Sequence, residues 1–251
     1  MNTLQDTLRI ATYNIHKGVQ GVGPRQRLEI HNLGHAIEQI DADIICLQEV
    51  RKVHRRQQHY FTHWPDLPQA EFLAPEGYEA VYRTNAVTRH GEHGNALLSR
   101  WPIIHERHED MSDHRFEQRG LLHVPVVWNG ATIHAVVVHF GLAHASRVRQ
   151  VARLADFIER QVPRDEMLVV AGDFNDWGER LDAPMAEIGL QRARARQDRS
   201  RALTFPSLMP VFALDRFYLR GLGCRSTMVP RGTPWARMSD HLPLVAELEP
   251  L

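Results

Sequence analysis

Residues 169–176 read VVAGDFND, an apolar run that stops abruptly on polar side chains. Alternation along an extended backbone puts Asp173 and Asn175 on one face and Phe174 on the other. Gly172, just before them, lets the backbone bend or another chain segment come close. An aspartate and an asparagine spaced this way can act on one anionic group without doubling the negative charge. The carboxylate accepts a proton or orients water, and the amide donates its N–H. The plain alternative is an Asx-type turn that closes the strand, and the octapeptide alone does not choose between the two. What decides is whether other strand-like runs end in the same way.

Working outward, short apolar runs occur at 8–15, 42–50, 94–100, 119–128, 131–140, 166–174, 211–219 and 242–248. Their lengths and β-branched content predict strands. Several are apolar on both faces, as in sheets covered on both sides. Helical periodicity appears at 25–40, with Leu33, Ile37 and Ile40 on one stripe, and at 146–162, with Val148, Val151, Ala155 and Ile158. Pro24 and Pro163 mark their boundaries. Segment 51–78, basic and then aromatic with three prolines, predicts a long loop or lid, and the glycine-rich 18–24 a flexible loop. With no Ser/Gly-rich linker and no repeat, the pattern predicts one α/β domain over residues 1–251.

Composition narrows the function classes. The 251 residues carry 30 basic and 30 acidic side chains, for a formal net charge of +0, so global charge announces no nucleic-acid partner and local patches decide. Two cysteines make no disulfide framework, and Cys46, inside an apolar run, reads as a buried free thiol. The N-terminus lacks the basic-then-apolar pattern of a signal peptide. No apolar run approaches the ~20 residues that span a bilayer. A cytoplasmic location is the expectation. His31 and His35 sit four apart but lack the glutamate of a zinc helix, and no phosphate loop, dinucleotide fingerprint, nucleophile elbow or paired-cysteine zinc signature is present.

The other runs do end on polar residues. Asn14 closes the first, Glu49 ends an otherwise apolar run, His139 ends "AVVVH", Asp215 lies within "VFALDRFYL", and Asp240–His241 precede the last strand. A glutamate at such a place is costly unless paired, solvated or bound to a metal. Arg119, at the start of one strand, suits a bidentate phosphate clamp, and Asn95 is a candidate on the substrate side.

In their order and spacing, TYNI, LQEV, GNALLSR, VVHF, GDFND, TFPS…LDRFY and SDHLPL resemble the endonuclease/exonuclease/phosphatase superfamily, which includes the DNase I-like nucleases. The similarity runs from about residue 8 to 248. It implies a four-layer α/β sandwich, two mixed β-sheets packed face to face with helices outside and the site at one rim. By that resemblance Glu49 would be the main Mg²⁺ ligand, with Mn²⁺ as a substitute, Asn14 would lie close to the metal, and Asp240 would help there. Asp173 would orient or deprotonate the attacking water, Asn175 would hold the phosphate, and Asp215 would accept a hydrogen bond from His241. His139 stands where nuclease- and sphingomyelinase-like members carry a second histidine and abasic-site enzymes a tyrosine, which points away from abasic-site repair. The implied activity is metal-dependent hydrolysis of a phosphodiester or phosphomonoester in nucleic acid, phospholipid or an inositol phosphate, with no obligate protein partner. A non-catalytic phosphate- or lipid-binding module on the same fold is the competing expectation.

Overall fold

In the computed structural model, which describes residues 7–195 and 201–251, the apolar runs form strands whose alternate side chains face different cores. The first seven strands are β1 (Leu8–Asn14), β2 (Val19–Gln20), β3 (Arg27–Leu28), β4 (Ile44–Val50), β5 (Glu79–Thr88), β6 (Gly91–Ser99) and β7 (Arg107–Asp110). Then come β8 (Gly120–Trp128), β9 (Ala131–His139), β10 (Met167–Asp173), β11 (Gln191–Arg192), β12 (Asp215–Arg220), β13 (Leu222–Met228) and β14 (Leu244–Pro250). The helices are α1 (Ile30–Ile40), α2 (Arg55–Tyr60), α3 (Gln69–Leu73), α4 (His144–Gln161), α5 (Asp182–Glu187) and α6 (Thr233–Met238).

Two six-stranded sheets, β13-β14-β1-β4-β6-β5 and β11-β12-β10-β9-β8-β7, carry the architecture. Each has one parallel pair, β1/β4 or β9/β10, with antiparallel partners on either side. Parallel neighbours need a long crossover, and α1 and α4 lie within those crossovers. Strand alternation then sorts the core into three. Ile44 and Cys46 of β4 face Val124, Val137 and Val169 between the sheets, while Ile45 and Leu47 face Leu33 and Ile37 of α1. Val136, Val138 and Val170 face Leu154, Phe157 and Ile158 of α4. Helix, sheet, sheet and helix therefore stack as the expected four layers. Each fully buried Leu, Ile or Phe contributes about 1.5–3 kcal/mol, which is why the sheets associate through these faces. Cys46 is buried and free. Among the described residues no helix is long and apolar enough to cross a membrane.

Several local expectations need correction. The buried stripe of α4 is Val151, Leu154, Phe157 and Ile158, and Val148 is exposed, because Leu154 and Phe157 supply the larger apolar surface. The first helix begins at Ile30 rather than residue 25, and 18–24 contributes to a β2–β3 hairpin instead of a flexible loop. Segment 51–78 is no lid. It folds into α2 and α3, buries Ala70 and Leu73, and is tied down where the Arg51 N–H donates to Gln69 Oε1 at 2.8 Å and Tyr78 Oη donates to the Ala42 carbonyl at 2.8 Å.

Candidate active site

The register of the sheets brings the polar strand ends to one rim. Asp173 pairs with His139 across the parallel β9/β10 ladder and with Asp215 across the antiparallel β10/β12 ladder. Asn14 closes β1, whose neighbours β4 and β14 bring Glu49 and the Asp240–His241 pair to the same end. Gly172 is needed here for close approach, since a Cβ at that position would lie 1.9 Å from the Val138 carbonyl oxygen. Glu49 sits at a register shift in the β4/β6 ladder with φ of +57°, a bulge that turns its carboxylate out of the alternation.

The two oxygens of Asp173 have different surroundings. Oδ1 accepts the main-chain N–H of Asn175 at 2.9 Å, in the manner of an Asx turn. Oδ2 accepts from Asn14 Nδ2 at 3.2 Å and lies 3.5 Å from His139 Nε2 and 3.6 Å from His241 Nε2. The turn of GDFND thus occupies one oxygen and leaves the other facing an amide and two imidazoles. Asn175, at φ of +48°, donates its side-chain amide to the Phe140 carbonyl at 3.0 Å, which orients the amide without exhausting it.

His241 donates Nδ1–H to Asp215 Oδ2 at 2.8 Å, and Phe205 packs on its ring with centroids 4.8 Å apart. Burial opposes its charge, but Asp215 and then Asp173 outweigh it and push its pKa up to about 10. His139 behaves oppositely. Burial and the Arg119 guanidinium push it down to about 4 against the pull of Asp173 and Glu49. The site therefore sets a cationic imidazole and a neutral one on the same carboxylate oxygen. Asp240 makes no hydrogen bond to the His241 ring; its Oδ1 lies 3.2 Å from His16 Nδ1.

On the other flank, Glu49 Oε2 is paired with Lys17 Nζ and lies 3.9 Å from His16 Nδ1. Burial would raise its pKa, but Lys17, His139 and His16 together hold it well below the usual carboxylate range. His16 thus lies within reach of both Glu49 and Asp240. Hard oxygen donors around such a place suit Mg²⁺, which binds through one or two carboxylates and keeps several waters. Among the described residues no three acidic, imidazole or thiol groups close on one point by themselves. Asn14 links the two flanks, since its Oδ1 accepts the His16 main-chain N–H at 3.1 Å while its amide reaches Asp173.

Two expected substrate residues are placed differently. Asn95 is fully buried, and its amide donates to the carbonyls of Gly120 at 2.9 Å and Val137 at 3.1 Å, so it pins one sheet to the other and faces no substrate. Arg119 stands beside His139 but is already engaged, with Nε on the Phe140 carbonyl at 3.1 Å and Nη2 on Glu117 at 3.2 Å. Sequence reasoning passed over His16 and Lys17, whose only signal is that they follow Asn14. It also missed His93, which burial pushes down to about 4 although Glu49 pulls the other way. Asp176 was quoted without a role. It is buried against the equally buried Arg216, Oδ2 to Nη1 at 2.8 Å, and that pair braces the turn carrying Asp173 and Asn175.

Comparison with known proteins follows the same lines. The model of the "Endonuclease/Exonuclease/phosphatase family" matches residues 11–241. The uncharacterized protein YbhP of Escherichia coli K12 is 38% identical over 251 residues, with 98% of each chain covered. The endonuclease/exonuclease/phosphatase of Bacteroides vulgatus superposes with a TM-score of 0.74 at 19% identity, covering 98% of this chain and 100% of that one. D. rerio TDP2 complexed with single strand DNA product superposes with a TM-score of 0.67 at 16% identity, covering 98% and 100%. Identities that low carry the fold alone. Members of the matched family are phosphodiesterases, nucleases or phosphatases. On the family match and on a relative aligned along nearly its whole length, this chain belongs to the endonuclease/exonuclease/phosphatase family.

Proposed function

We propose that the protein is a Mg²⁺-dependent hydrolase of phosphodiester or phosphomonoester bonds, with Mn²⁺ as a substitute. The observation that carries this is the surroundings of Asp173 Oδ2, where Asn14, His139 and His241 converge within 3.2–3.6 Å while Asp215 holds the far side of His241. A phosphodiester repels hydroxide and has a poor leaving group, so the barrier falls only if water is oriented and charge is neutralised. The water oxygen forms a new bond to phosphorus, the bond to the leaving oxygen breaks, a proton leaves the water and one reaches the leaving oxygen. Asp173 is placed to accept from the water. His241, between two carboxylates, is placed to hold positive charge against the phosphoryl oxygens, and Asn175 to steady one of them. Glu49 and Asp240, with Asn14 adjacent, would hold the metal, which when bound supplies Lewis-acid neutralisation of the developing charge.

Nucleic acid and phospholipid are the substrate classes this site suits. The complex of the structurally similar D. rerio TDP2 with single strand DNA product supports keeping nucleic acid among them. The test is a panel of DNA, RNA, phospholipids, inositol phosphates and a chromogenic diester, each with Mg²⁺, with Mn²⁺ and with chelator. Hydrolysis that needs the metal is the expected result. A panel inert under all conditions refutes the enzyme and leaves a phosphate-binding module.

A further inference from the structure

The catalytic rim is surrounded by apolar side chains that face solvent. Val22, Val87, Phe116, Leu142, Leu208 and Met209 are each at least 60% exposed. Five stand on connections and Val87 within β5, at the end of the sheets that carries Asn14, His139 and Asp173. Val22 lies in the hairpin after β1, Val87 at the end of β5, Phe116 between β7 and β8, and Leu142 between β9 and α4. Leu208 and Met209 follow Ser207, whose N–H donates to the Asp240 carbonyl at 2.7 Å. Val87, Phe116 and Leu142 line one cleft of about 740 Å³, together with Arg119, the neighbour of His139. Three large side chains left this exposed around one cleft mark a binding surface and not ordinary scatter.

Exposed basic side chains lie beside them. Arg25, Arg89 and Arg115 are exposed on the same connections. The nearby acids Asp113 and Glu117 are turned to Arg149 and Arg119. Apolar tips interleaved with arginines match the boundary between anionic headgroups and acyl chains. They match nucleic acid less well. Bases stack on aromatic faces, whereas five of these six side chains are aliphatic or thioether, and the Arg115 guanidinium already lies 4.6 Å over the Phe116 ring.

We propose that the catalytic mouth is a docking face for an anionic phospholipid surface, and that the phosphodiester presented to Asp173 and His241 is that of a phospholipid headgroup. The docking face stands on the surface itself; the substrate assignment rests on the hydrolase reading above. The experiment is co-sedimentation of the full chain with phosphatidylcholine vesicles, with or without phosphatidylglycerol. The protein is expected to pellet with the anionic vesicles. Leu208→Ser combined with Met209→Ser should weaken partitioning by at least about tenfold at an unchanged melting temperature, because each tip is an apolar side chain leaving water. Arg89→Glu with Arg115→Glu should remove the preference for phosphatidylglycerol. Wild-type protein that stays in the supernatant overturns the proposal. So do Ser variants that pellet undiminished, or ones that weaken binding of a single-stranded oligonucleotide instead. Vesicle binding by a protein inert on every phosphoester would keep the docking face and remove the headgroup as substrate.

Discussion

His123 lies far from the catalytic rim, under α4, and its environment makes a quantitative demand on acid stability. Its Nε2 is 2.8 Å from His134 Nδ1, and His134 Nε2 in turn meets the Glu166 carboxylate. The ring of His105 is 6.0 Å away, Arg107 is its cross-strand partner in β7, and Phe157 of α4 covers it edge-on. Burial first, and then His134, His105 and Arg107, push His123 down to about 3. An unfolded chain protonates this imidazole below about pH 6.5. Between that pH and about 3 the unfolded state therefore binds the extra proton, and stability rises with pH. The contribution is complete above pH 6.5 and erodes as the solution is acidified. By pH 4.5 the loss is about 3 kcal/mol, at roughly 1.4 kcal/mol for each pH unit. His123→Gln keeps an amide able to bond His134 and does not titrate. Urea unfolding of both proteins from pH 7.5 to 4.5 measures the difference. The gap between their stabilities should change by about 3 kcal/mol across that range, in favour of the variant at the acid end. Parallel stability curves would refute the assignment of a neutral, proton-resisting His123.

Three further outcomes are expected. Glu49→Ala or His241→Ala should lower metal-dependent turnover at least ~100-fold, as losing one charge-stabilising group does, with the fold intact by circular dichroism. Chelator should abolish turnover and added Mg²⁺ should restore it, measured on the chromogenic diester; hydrolysis indifferent to both would remove the metal from the reading. Asp176→Ala should cost roughly 3–5 kcal/mol in denaturant unfolding, because the buried Arg216 loses its hydrogen-bonded carboxylate and keeps only the Asp182 carboxylate at 3.9 Å.

Much of the candidate site's gathering at one rim could be read from the sequence because its residues lie where apolar runs stop. Asn14, His139 and Asp173 each close a strand, and parallel pairing of β1 with β4 and of β9 with β10 delivers such ends to one side. His241 and Asp215 were legible as a pair through the family resemblance, not through spacing. Asn95 was misplaced for a physical reason: a polar residue in a strand between glycine and alanine reads the same whether it meets a substrate or the carbonyls of a second sheet. His16 and Lys17 escaped notice because a short 3-10 turn with φ of +45° and +64° carries no periodicity. The edge strands β5, β7 and β13 were missed since their side chains are half exposed or mixed, which blurs the alternation that marked the central strands.

The hydrogen bond from Asn14 to Asp173 and the one from His241 to Asp215 both run between the two sheets. Neither leaf carries the whole of the proposed centre, which lies along the seam between them. A slippage of one leaf over the other by a fraction of an ångström would change every catalytic separation at once, long before any strand melts. Heat inactivation of this protein should therefore run ahead of the loss of its secondary structure, and a fragment comprising either leaf alone should have nothing to catalyse with.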